Sequence, residues 1–170
     1  MAELIAPTTG LHSAWLEAHA EWGPGSHEDG FGLSPGDDVD SAAGFAAWVA
    51  RLTEQSACVY RWIVEDGRVL GGIALRQGFG DYERWAGHIG YGIRPTARRR
   101  GLATWALGSM LEQARTLGMG RVLAVCAADN VPSAKTIEHH GGVLDGIRDT
   151  EHGPARYYWI TPGPTLNTLR

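Results

Sequence analysis

An apolar run of the roughly 18 residues that a membrane-crossing helix needs is absent from this 170-residue sequence, so no spanning helix is expected. The start, Met1-Ala2-Glu3-Leu4, lacks both the basic opening and the apolar core of a signal peptide, and the expectation is a soluble, cytoplasmic protein. Cysteine is scarce. Cys58 and Cys126 stand far apart and outside any CxxC spacing, which argues against a disulfide framework or a thiolate metal site and leaves two reduced core residues. No metal is expected. Positive charge is in short supply too: 15 Lys and Arg against 19 Asp and Glu give a net charge of −4. General nucleic-acid binding, which needs a broad basic surface, is therefore disfavoured. Internal repeats and low-complexity segments are also missing. With 44% hydrophobic residues the chain suffices for one domain, expected over residues 1–162 with a loose tail at 163–170.

Against that sparse cationic background, one stretch concentrates positive charge. Ile93-Arg94-Pro95-Thr96-Ala97-Arg98-Arg99-Arg100-Gly101-Leu102-Ala103 sets three consecutive arginines and a glycine between an expected strand, which Pro95 stops, and a helix starting near Arg99. Unpaired N–H groups at a helix N-terminus attract anions, and a glycine there lets a phosphate approach the main chain. The residues Arg98, Arg99, Arg100, Gly101, Leu102, Ala103 and Thr104 thus read as an anion cradle, deepened by three guanidiniums. So local a cluster suits one small polyanion better than a polymer.

The surrounding pattern is that of an α/β (α+β) chain. A short strand at Glu3 to Pro7 precedes a helix from Leu11 to Trp22, then a long loop from Gly23 to Asp40 whose acids could select a cationic amine. Ser41 caps a second helix to Gln55, with Phe45, Trp48, Val49 and Leu52 as its buried stripe. Strands at Cys58 to Val64 and Arg68 to Arg76 flank the hairpin signal Asp66-Gly67. A polar connection leads to a strand at Ala86 to Ile93. The helix after the arginines runs to Leu117, and a buried strand from Arg121 to Cys126 should lie parallel to the strand before them. Asp129 or Asn130 caps a short helix containing Pro132 and ending at Gly141-Gly142, and strands at Val143 to Arg148 and Ala155 to Thr161 close the chain.

Those residues resemble the GNAT superfamily of N-acetyltransferases. Arg98-Arg99-Arg100-Gly101-Leu102-Ala103 is similar to its pyrophosphate signature, and Asn130-Val131-Pro132-Ser133 followed by Glu138-His139-His140-Gly141 to its second cofactor segment. His88 to Pro95, Thr136 to Gly142 and Arg156-Tyr157-Tyr158-Trp159-Ile160 look like a bacterial branch of predicted acetyltransferases without assigned substrates. The resemblance implies the GNAT fold: a mixed, mostly antiparallel twisted sheet of six to seven strands flanked by about four helices. It further implies acetyl-CoA as cosubstrate and a primary amine of a small molecule or peptide as acceptor, with no nucleic-acid or membrane partner. Ile93 would pair with the pantetheine arm, Asn130 would bond the pantetheine or its thiol end, and Ser133 and Lys135 would contact the phosphate or adenosine side.

Acetyl transfer by direct attack needs a neutral amine, a donor for the tetrahedral oxyanion and an acid for the leaving thiolate. A strand N–H near Tyr91 to Ile93 would serve the oxyanion. Many relatives place the acid, a tyrosine, where this chain has Ile137, so Tyr91, Tyr157, Tyr158 or water must substitute. His88 titrates in the right range for a base, yet strand alternation turns it from Tyr91 and Ile93, so catalytic and structural roles both stay open. A non-catalytic acyl-CoA binding module is the alternative function. Monomer and homodimer are both compatible with the sequence.

Overall fold

The computed structural model describes residues 1–23 and 30–163. The acidic segment Ser26 to Asp29 and the tail after Gly163 lie outside the described residues. Among the described residues, seven strands form one sheet: β1 Glu3–Ile5, β2 Cys58–Glu65, β3 Arg68–Arg76, β4 Ile89–Ile93, β5 Val122–Ala127, β6 Val143–Thr150 and β7 Gly153–Ile160, in the order β1-β2-β3-β4-β5-β7-β6. The helices are α1 His12–Trp22, α2 Ala42–Glu54, α3 Asp81–Ala86, α4 Leu102–Thr116 and α5 Val131–His139. β4 and β5 pair in parallel, with Ile89 opposite Ala124, while β1 with β2 and β7 with both β5 and β6 pair antiparallel. The mixed, mostly antiparallel α/β sheet is the expected architecture.

The chain divides into two compact units. The first, Met1–Ala74 with Tyr91–Leu102, has an aromatic core in which Trp15, Trp22, Phe31, Phe45, Trp48 and Trp62 are all buried. Four of these rings come from helix positions spaced to share one face: Trp15 and Trp22 on α1, Phe45 and Trp48 on α2. Ser41 caps α2 through its Oγ, which accepts from the Gly44 N–H at 3.0 Å. The β2–β3 turn is made by Asp66 and Gly67, at φ 51° and 74°, the left-handed pair that a two-residue hairpin requires.

The second unit is Leu75–Gly90 with Ala103–Arg170. Here Ala106, Leu107, Met110 and Ala114 form the buried stripe of α4, and Gly118, at φ 78°, ends that helix in a left-handed cap. Cys126 is buried on β5, as Cys58 is on β2 in the first unit, and neither is in a disulfide.

Two boundaries depart most from expectation. The segment read as a polar connection and the start of a strand contains α3, so β4 begins at Ile89 rather than Ala86. Gly80 and Glu83 hold this short helix together, the Glu83 carboxylate accepting from the Gly80 N–H at 3.0 Å. The helix expected near Arg99 begins at Leu102, because Pro95–Ala97 form a 3-10 turn and Arg99 adopts φ 65°. A left-handed residue breaks any helix there.

Candidate functional site

In the first unit the site begins at the end of β4. Arg94 N–H donates to the Leu70 carbonyl at 2.8 Å, which fixes the even-numbered residues of β4 as those that turn their amides to β3. Alternation then turns the amides of Tyr91 and Ile93 to the other side of the strand.

Pro95 follows, and the chain closes the 3-10 turn by Arg98 N–H donating to the Pro95 carbonyl. Arg99 and Gly101 both have positive φ, 65° and 76°. Between them they curl the main chain into the first turn of α4. A Cβ built on Gly101 meets nothing within 4 Å, so the space beside that residue is open to a ligand.

The arginines do different things. Arg94 is 2% exposed and is not part of the cradle. Its Nε donates to Glu21 Oε2 at 2.7 Å, its Nη2 to Glu17 Oε1 at 2.9 Å and its Nη1 to the Val69 carbonyl at 3.2 Å. Glu17 and Glu21 had no role in the sequence reading, although two carboxylates four apart on α1 mark one helix face. The Arg94 guanidinium is the main cause holding both carboxyls below the usual glutamate range. Arg98 folds back, its Nε donating to the Ile93 carbonyl at 3.0 Å. Arg100 is claimed by Glu65 through both carboxylate oxygens, at 3.0 and 2.8 Å. Arg99 is exposed, and Arg98 and Arg100 are partly committed to bonds within the protein.

In the second unit the cofactor candidates gather where β5 meets α5. Asn130 is the N-cap of α5, its Oδ1 accepting from the Ser133 N–H at 3.3 Å. This cap leaves the Asn130 side-chain amide donors for another partner. Ser133 is half-buried and hydrogen-bonds the Cys126 thiol, whose pKa burial raises. Cys126 is thus kept as a protonated thiol. Lys135 is exposed on α5. Thr104, on the first turn of α4, offers its carbonyl to His140 Nε2 at 2.7 Å, and His140 packs so closely on Gly108 that a Cβ there would lie 2.9 Å from its ring.

The proton-transfer candidates separate clearly. His88 is buried, and its Nδ1 accepts the Leu123 N–H at 2.9 Å. The neutral ring then carries its proton on Nε2, so its one basic nitrogen is already bonded to the main chain. Burial lowers its pKa. Tyr157 donates its hydroxyl to the Trp85 carbonyl at 3.2 Å, and Tyr158 donates to Glu138 Oε1 at 2.8 Å. Burial first, and Glu138 second, raise the Tyr158 pKa. Tyr91, on β4, is half-buried. Among the described residues no group of three or more His, Cys, Asp or Glu side chains could hold a metal ion, and no helix is long and apolar enough to cross a membrane.

Comparison with solved structures places this arrangement in a known fold. RimJ from Mycobacterium smegmatis, solved with a CoA-disulfide, superimposes with a TM-score of 0.75 at 18% identity, covering 94% of this chain and 81% of that one. The ribosomal-protein-S5-alanine acetyltransferase from Vibrio fischeri gives 0.72 at 13% identity, over 95% and 93%. The microcin C7 self-immunity acetyltransferase MccE, solved with acetyl-CoA and AMP, gives 0.70 at 13% identity, over 94% and 92%. No curated protein matches the sequence. The family model described as the acetyltransferase (GNAT) domain matches residues 9–143, most of the sequence, and the chain belongs to that acetyltransferase family.

Proposed function

We propose that the chain transfers an acetyl group from acetyl-CoA to a primary amine of a small molecule or peptide, by direct attack within a ternary complex. The observation that carries this is the Arg98–Gly101 turn. Two left-handed residues aim the main chain into the N-terminus of a long helix, and the Cβ position of Gly101 is open. Successive N–H groups at a helix start hold a pyrophosphate without any one side chain being essential. Family membership and the coenzyme A or acetyl-CoA bound in RimJ and MccE support that ligand.

In this reading N–H groups from Gly101 through Thr104 bind the pyrophosphate, with Arg98, Arg99 and Arg100 screening its charge. Ile93 offers its outward-turned amide to the pantetheine, and Asn130 offers its side-chain amide. Ser133 and Lys135 contact the phosphate or adenosine side. The neutral amine attacks the thioester carbon, and a tetrahedral oxyanion forms against an N–H of the Tyr91–Ile93 stretch, a contribution of about 3 kcal/mol in comparable sites. Collapse expels the coenzyme A thiolate. Its proton comes from Tyr91 or from water. His88 holds the Leu123 amide rather than taking the proton of the amine, which passes to water.

The test is thiol release from acetyl-CoA with a panel of primary amines, run beside calorimetric titration of coenzyme A. Turnover with at least one amine is expected. Tight coenzyme A binding with no turnover above background for any amine would replace this reading with that of a non-catalytic acyl-CoA binding module.

A further inference from the structure

The second unit exposes a group of aromatic rings that the acetyl-transfer reading does not use. Phe79, Tyr82 and Trp85 lie within one seven-residue stretch and are 46%, 50% and 45% exposed. Tyr82 and Trp85 meet edge to face at 5.2 Å, and Phe79 joins the Trp159 ring at 5.9 Å. Large apolar groups clustered on a surface mark interaction sites.

Arginines cover these rings. The Arg76 guanidinium carbon lies 4.8 Å from the Tyr82 centroid, that of Arg84 5.4 Å from Phe79, and that of Arg121 3.9 Å from Trp159. None of the three makes an ion pair among the described residues. The Glu83 carboxylate accepts from the Gly80 amide at 3.0 Å and Asp81 shares its helix, so three guanidiniums stand against two carboxylates. The face is therefore apolar and locally cationic, on a chain whose net charge is −4.

We propose that this arginine-covered aromatic face docks an acidic peptide segment of a protein partner, one that also carries apolar side chains. Arg76 already donates to the Gly87 carbonyl at 3.0 Å, so Arg84 and Arg121 are the guanidiniums that meet a carboxylate, each through two parallel hydrogen bonds. The exposed ring edges between the arginines take the apolar side chains, and Trp, Tyr and Arg are the residue types that dominate binding at protein interfaces. A single-stranded nucleic acid fits less well. It would need bare ring faces for base stacking, and here arginines already occupy one face of Phe79, Tyr82 and Trp159. The inference is independent of the proposed acetyl transfer.

The test uses the full chain and fluorescence anisotropy with three labelled probes: a dodecapeptide of glutamate, glycine and phenylalanine, its counterpart with lysine for glutamate, and an oligouridylate of equal length. The glutamate peptide should bind most tightly and lose affinity as salt is raised. The double substitution Arg84→Glu with Arg121→Glu should weaken it about tenfold or more, while thermal midpoint and thiol release from acetyl-CoA stay as in the parent. Should that pair fail to fold, Arg84→Lys with Arg121→Lys keeps the charge, removes the planar stacking and should still weaken binding several-fold. Equal binding of the glutamate and lysine peptides, tighter binding of the oligouridylate, or unchanged affinity in the folded variants would overturn the proposal.

Discussion

Replacing Arg94 by methionine tests the frame of the first unit. The substitution keeps much of the stem and deletes a guanidinium that bonds Glu21, Glu17 and the Val69 carbonyl at 2.7, 2.9 and 3.2 Å. Breaking a buried pair by removing one partner costs about 3–5 kcal/mol, because the other charge is stranded. Here the lower end applies: Glu17 is half exposed and Glu21 partly so, and both can rehydrate. The Val69 carbonyl keeps its own cost of roughly 1–3 kcal/mol if no donor replaces Nη1. An overall loss of about 3 kcal/mol should lower the melting temperature by about 6–12 °C in a chain of this size. Thermal unfolding followed by tryptophan fluorescence is the assay, the first unit's core being rich in indoles. Acid dependence gives a second readout. Both glutamates titrate below their ordinary value in the folded state, so their share of stability is complete above that value and is lost as pH falls through the lowered one. In Arg94→Met the acid limb of the stability curve should become shallower. A fall in melting temperature under about 2 °C, with the acid limb unchanged, would mean that Arg94 is a solvated bystander.

Gly101→Val should weaken coenzyme A binding in calorimetry by well over tenfold, because its side chain fills the open space beside the cradle. Forcing φ 76° on a β-branched residue should cost about 1–2 kcal/mol of stability. Single Arg99→Ala should weaken the same binding only several-fold if, as proposed, the backbone makes most of the cradle. Asn130→Ala removes the cap of α5 and should cost about 1 kcal/mol in denaturant unfolding, together with a raised KM for acetyl-CoA. His88→Phe strands the buried Leu123 N–H and should destabilise by about 1–3 kcal/mol, while His88→Asn, which can still accept, should recover part of that loss. Because burial lowers the His88 pKa, its share of stability is complete above the ordinary histidine value and is lost as pH falls through the lowered folded value; an NMR titration of the ring checks the direction.

The sequence made the strands and the long helices legible because each carries its own local signal. Ser41 caps α2 as its residue type predicts, Asp66-Gly67 makes the left-handed hairpin turn, and the helix stripe of Phe45, Trp48, Val49 and Leu52 is buried. The short α3 was hidden by its composition. Six residues hold no periodicity to detect, and its stabilising feature is a glutamate reaching back to a glycine amide, with no capping side chain on Gly80 to announce it.

Arginine was the residue type whose place sequence distance concealed most. Arg94 and Arg98 to Arg100 sit within seven positions and look like one charge cluster, yet their partners arrive from far along the chain: Glu17 and Glu21 from α1, Val69 from β3 and Glu65 from the end of β2. Tertiary structure thus divides one basic run into a buried brace, a carbonyl clasp, an exposed cation and a surface ion pair. Divided charge is consistent with a cradle that relies on backbone N–H groups. Were the guanidiniums the main attraction for a polyanion, pairing Arg100 with Glu65 would work against it. A site made by the left-handed turn and the helix start keeps its geometry whether or not Glu65 holds Arg100. Glu65→Gln separates the two cases: it should release Arg100 and tighten coenzyme A binding no more than several-fold, and a gain of a hundredfold would show that side-chain charge, rather than the turn, makes the site.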